Sequence, residues 1–91
     1  MLKPNGRLGL VLHPRRDPSP VVDKITRWAR SHGKQVIADA RDAARLPDDV
    51  ELVSAAQLID EADALISLGG DGTMLGALRL VAGRPVPVLG V

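Results

Sequence analysis

A glycine-rich run, Leu68-Gly69-Gly70-Asp71-Gly72-Thr73, holds the residue types best suited to chemistry in this 91-residue sequence. Gly69, Gly70 and Gly72 carry no side chains, so backbone N–H groups can approach a polyphosphate closely, and a helix starting at the run would add its positive dipole end. Asp71 is the unusual member, because a turn that attracts anions is a costly place for a carboxylate. It belongs there if it must accept a hydrogen bond from an alcohol, orient it and take its proton during phosphoryl transfer. A second reading makes Asp71 only the cap of the following helix. Two better-known phosphate loops do not fit. A Walker A loop needs Lys and then Ser or Thr after its last glycine, where Thr73-Met74 stand, and the dinucleotide fingerprint counted from Gly70 and Gly72 needs Gly or Ala where Leu75 stands.

The run must be positioned by what flanks it. Ala64-Leu-Ile-Ser-Leu68 reads as a buried strand, and Met74, Leu75, Leu78, Val81 and Ala82 recur at helical spacing until Gly83-Arg84-Pro85. Gly69, Gly70, Gly72 and Thr73 then sit at a strand's carboxyl end, where open α/β sheets bind ligands. Upstream, residues 7–12 form an apolar strand between turn residues. Ser19 caps a helix over residues 20–32 with Pro20 in its first turn, and Val21, Val22, Ile25, Trp28 and Ala29 form its buried face. Gly33 ends that helix. Residues 35–38 make a second strand, residues 39–46 a short helix and residues 47–49 a loop, while Ser54-Ala-Ala-Gln57 is a capping box opening a helix through about Glu61. Residues 86–91 begin a fourth strand. This alternation predicts an α/β fold, a parallel β-sheet with flanking helices.

Composition narrows the function classes. No apolar stretch reaches the roughly 18 residues of a membrane helix, and residues 1–6 lack the apolar core of a signal peptide, so a cytoplasmic address is expected. The absence of cysteine excludes disulfides, thiolate metal sites and Cys nucleophiles. Two histidines cannot make a His-rich metal site, and no metal-ligating residues are assigned. A net charge of +1 argues against a nucleic-acid binder, yet residues 1–46 carry ten basic and four acidic residues against two and seven in residues 47–91. The basic half would steer a polyanion such as a nucleoside triphosphate; a solvated helix face is the plainer account. Arg15 and Arg16 follow the first strand on the same sheet edge as the glycine run, as phosphate contacts or as ordinary solvated arginines. His13 reads as a structural or exposed side chain, and Asp60, Glu61 and Asp63 as a solvated helix end. An apolar strand ending at Val91 with nothing after it suggests the N-terminal part of something longer.

Gly69-Gly-Asp-Gly-Thr73 after an apolar strand, then Met74-Leu-Gly-Ala77, an apolar helix and Pro87-Val-Leu-Gly-Val91, resembles the N-terminal domain of NAD kinases over most of the chain. Lipid kinases of the diacylglycerol and sphingosine type share the five-residue motif, and phosphofructokinases share it more loosely. Lipid kinases typically continue with Glu-Val and an Asn, where this chain has Gly76-Ala77-Leu78. The resemblance implies that Asp71 activates the adenosine-ribose 2'-hydroxyl of NAD, with Gly70, Gly72 and Thr73 contacting phosphates. It implies ATP or inorganic polyphosphate as donor, Mg2+ or another divalent cation accompanying it, NADP as product, a homodimer or homotetramer, and neither a membrane nor a nucleic acid as partner. Many members carry a basic residue where Gly76 stands, so that contact is missing. The family's Asn-Glu pair and its C-terminal β-rich domain would lie beyond Val91, and residues 1–91 alone would be inactive. The alternatives are a lipid kinase segment and a non-catalytic nucleotide-binding or regulatory α/β module.

Overall fold

The computed structural model describes residues 6–91. Its sheet is built on the apolar run Arg7–Leu12, strand β1, which pairs in parallel with β2 (Gln35–Asp39) on one side and β4 (Ala64–Leu68) on the other. Short edge strands, β3 (Glu51–Val53) and β5 (Val88–Gly90), complete the order β3-β2-β1-β4-β5. Strands covered on both faces are apolar at successive positions, and all five residues of β4 are buried.

Two separate cores result. Leu8, Leu10 and Leu12 face helix α1 (Ser19–Ser31), packing with its Val22 and Ala29 and with Val36, Ala38, Ile66 and Leu68. Ile37, Val53 and Leu65 face the opposite way, against Leu58 of α2 (Ala55–Glu61), Ala77 of α3 (Asp71–Leu80) and Val81. The capping box forms as its spacing predicts: Ser54 Oγ accepts from the Gln57 amide and Gln57 Oε1 from the Ser54 amide, both at 3.1 Å.

The structure corrects several details. β3 falls in a stretch read without a strand, making residues 88–90 the fifth strand rather than the fourth. Three residues at a sheet edge, one of them buried, are too few to display a period. Residues 40–45 form a 3₁₀ turn, Ala40–Arg45, capped by Asp39, whose carboxylate accepts from the Arg41 amide. Ser19 is not the cap of α1 but its first residue; the cap position is Pro18, and the Asp17 carboxylate accepts from both the amide and the hydroxyl of Ser19. Those two bonds hold the Asp17 carboxyl below its ordinary value of 3.8, so this support for the helix start is present above that pH and fades as pH falls below it. Trp28 is not in the core. The stripe against the sheet is Val22, Thr26 and Ala29, and Trp28 lies on its shoulder, 45% exposed, its ring stacked on His32 at 4.3 Å. Gly33 has φ of 67° and ends the helix as expected. The acidic cluster is partnered: Arg84 pairs with Asp60, Arg7 with Glu61, and the Asp63 carboxylate accepts from the Arg7 amide. No helix among the described residues is long and apolar enough to cross a membrane.

Candidate functional site

β1 and β4 are neighbours in the sheet, yet α1 leaves β1 toward one face and α3 leaves β4 toward the other. Chains that diverge from adjacent strand ends open a crevice between them, the place where doubly wound sheets bind ligands. The ends are level, with Leu12 opposite Leu68 in the ladder and the His13 amide donating to the Leu68 carbonyl at 2.8 Å. A cleft of about 350 Å³ lies here, with His13 and Pro14 on one wall and Gly70, Gly72, Thr73 and Gly76 on the other.

The glycines do different work. Gly69 has φ of +151°, and a Cβ there would stand 2.6 Å from Thr73 Oγ1 and 2.9 Å from His13 Cβ, so the turn itself demands glycine. Gly70 is extended, Gly72 is helical, and a Cβ on either would meet nothing within 4 Å. No feature of the fold requires glycine at those two positions, and Gly72 costs helix stability relative to alanine. What they provide is open approach to the backbone. The amides of Thr73 and Met74 both donate to the Gly70 carbonyl, at 3.1 and 3.2 Å. Those of Asp71 and Gly72, first in α3, have no backbone acceptor among the described residues, and the helix dipole points its positive end at the same place.

Asp71 is not the helix cap. Gly70 occupies that position, Asp71 is the first helical residue, and its exposed carboxylate has no hydrogen bond or ion pair among the described residues. It stands between two glycines of the cleft wall without being part of that wall. The carboxylate thus stands unpaired beside open amides at the positive end of the α3 dipole.

The two arginines are not gathered at the turn equally. Arg16 borders a small hollow of about 170 Å³ shared with His13 and Gly69. Arg15 lines, with Arg16 and Arg45, a broader depression of about 570 Å³ toward the 3₁₀ turn. Both side chains are exposed and without a partner among the described residues. His13 is structural, as its sequence context suggested. Its Nδ1 accepts from the amides of Arg15 and Arg16 at 3.0 and 3.1 Å.

A family model for the ATP-NAD kinase N-terminal domain matches residues 8–91. The chain belongs to the ATP-NAD kinase family. Its similarity to individual members extends over nearly all of its length. It is 34% identical over 93 residues to an NAD kinase of Erwinia tasmaniensis, covering 100% of this chain and 32% of that protein. It is 33% identical over 86 residues to an NAD kinase of Klebsiella pneumoniae and 32% over 84 residues to one of Helicobacter pylori, each match covering 92% of this chain and 30% and 29% of those proteins. The chain thus spans about a third of the length of these relatives. The five-stranded parallel sheet with its flanking helices is the fold expected of the ATP-NAD kinase N-terminal domain.

Proposed function

We propose that the protein carrying this domain is an NAD kinase, transferring the terminal phosphoryl group of ATP to the adenosine-ribose 2'-hydroxyl of NAD. The observation that carries the reading is Asp71, an unpaired carboxylate at the first position of α3 beside open amides and side-chain-free approach, in a chain of the ATP-NAD kinase family. The Asp71 carboxylate accepts a hydrogen bond from the 2'-hydroxyl and aims its oxygen at the γ-phosphorus. As the new P–O bond forms and the bond to the ADP oxygen breaks, the hydroxyl proton passes to Asp71. The Asp71 and Gly72 amides and the α3 dipole hold phosphate oxygens, Gly70 and Gly72 admit them, and Thr73 adds a hydroxyl. Arg15 and Arg16 supply positive charge at the neighbouring strand end.

Among the described residues no group of three or more His, Cys, Asp or Glu is gathered to hold a metal ion. A single carboxylate fits Mg2+ arriving on the nucleotide, since that ion keeps several waters and takes phosphate oxygens as ligands, with Asp71 as the residue near enough to contribute. When bound it neutralises charge on the transferring phosphates. The rest of the NAD pocket, a β-rich second domain, self-association as a dimer or tetramer and a cytoplasmic setting, where NAD and ATP are both available, belong to the same proposal.

NADP formation from NAD and Mg-ATP by the product of the complete reading frame tests it. No product from folded protein would favour a non-catalytic nucleotide-binding module. A sharper test uses Gly72→Ala. Alanine at this helical position leaves stability unchanged or raises it by about 0.5 kcal/mol, while a methyl group in the phosphate approach lowers kcat/KM at least about tenfold. Urea midpoints and steady-state kinetics read the two effects separately. Undiminished kcat/KM in the Gly72→Ala variant would show that phosphate does not approach this backbone.

A further inference from the structure

Arg45 ends the 3₁₀ turn, and its side chain reaches back to the loop joining β1 to α1. One nitrogen, Nη2, donates to the main-chain carbonyls of both His13 and Arg16, each at 2.6 Å, across separations of 32 and 29 residues. Its Nη1 lies 3.9 Å from Asp42 Oδ1. The fork that would grip a phosphate is thus turned toward protein carbonyls and a carboxylate, unlike the exposed, unpartnered side chains of Arg15 and Arg16. Arg45 does not serve as an anion ligand in this arrangement.

What it holds is the wall of the cleft opposite the glycine turn. Between the two bridged carbonyls, His13 Nδ1 already takes the amides of Arg15 and Arg16, so the loop's polar groups are tied from inside by His13 and from outside by Arg45. The same His13 lies against Gly69, where a Cβ would come within 2.9 Å of its own. A shift of the loop therefore moves His13 and Pro14 relative to Gly70, Gly72 and Thr73, and carries Arg15 and Arg16 with it.

We propose that Arg45 is a positioning residue for phosphoryl transfer, fixing the wall formed by His13 and Pro14 at the correct distance from the Asp71 turn by bridging the carbonyls of His13 and Arg16. This rests on the kinase reading above, and substrate is not touched by Arg45 itself. Small misplacements of a positioned group cost up to about 100-fold in rate.

The test uses the product of the complete reading frame with Arg45→Ala and Arg45→Lys. Hydrogen exchange over residues 13–18 is measured beside NADP kinetics. In the Ala variant, exchange in that segment accelerates and kcat/KM falls by roughly 10- to 100-fold. The Lys variant, or millimolar guanidinium added to the Ala variant, restores part of the rate. Unchanged exchange over residues 13–18 in the Ala variant overturns the brace. Wild-type kinetics, or a loss that neither Lys nor guanidinium relieves, overturns the positioning role. No NADP from the wild-type protein overturns the kinase reading and this role with it, whereas the exchange comparison still decides whether Arg45 holds the loop.

Discussion

Replacing Asp71 with Asn lowers NADP formation by the complete protein roughly 10²- to 10⁴-fold, the range a positioned general base supplies. Asparagine keeps the size and one carbonyl oxygen of the side chain but cannot take the hydroxyl proton, so the loss falls in kcat, while KM for NAD and ATP moves little. The fold survives because the carboxylate is exposed and makes no hydrogen bond among the described residues. Its one structural contribution is a negative charge at the start of α3, worth about 0.3–1 kcal/mol. Circular dichroism, a thermal melt and initial rates measured together check this. Turnover near the wild-type value would remove Asp71 from the chemistry and leave only its interaction with the helix dipole.

Gly69→Ala has the largest expected effect on the site's architecture. Two penalties coincide there: a positive φ that alanine adopts with strain, and a Cβ closer than 3.0 Å to both Thr73 and His13. The Thr73 hydroxyl can turn aside, but the contact on His13 is at its Cβ and yields only if the main chain moves. Strain and overpacking together give a loss of about 2–5 kcal/mol, with activity falling as the two walls are pushed apart. Gly70→Ala, one residue along, meets open space and serves as the control for stability. Equal urea midpoints for the two variants would refute the assignment of distinct roles to these glycines.

The parts of the fold readable in the sequence were those with strong short-range signals. β1 and β4 are apolar runs with turn residues beside them, Ser54 and Gln57 stand at capping-box spacing, and a helix follows Asp71, although its Leu75 and Leu78 are exposed and Ala77 and Val81 take the buried places. β3 was not readable, because Glu51–Val53 is shorter than any period it could show. Trp28 misled because its type favours burial, whereas the phase set by Val22, Thr26 and Ala29 turns it to the shoulder of α1. At the site, spacing identified the glycine turn but could not separate Gly69, demanded by backbone geometry, from Gly70 and Gly72, whose surroundings are open. Arg15 and Arg16 are adjacent in sequence yet only Arg16 borders the hollow beside Gly69. Arg45 carried no local signal at all, since its meaning lies in two carbonyls about 30 residues away.

The two cores have no residue in common: α1 is seated on one face of the sheet and α3 on the other. The walls of the cleft are therefore secured to separate foundations, joined along the β1–β4 ladder that ends where Leu12 meets Leu68. A substitution that loosens the packing on the α1 face or on the α3 face therefore displaces one wall of the cleft while the other stays held by its own core.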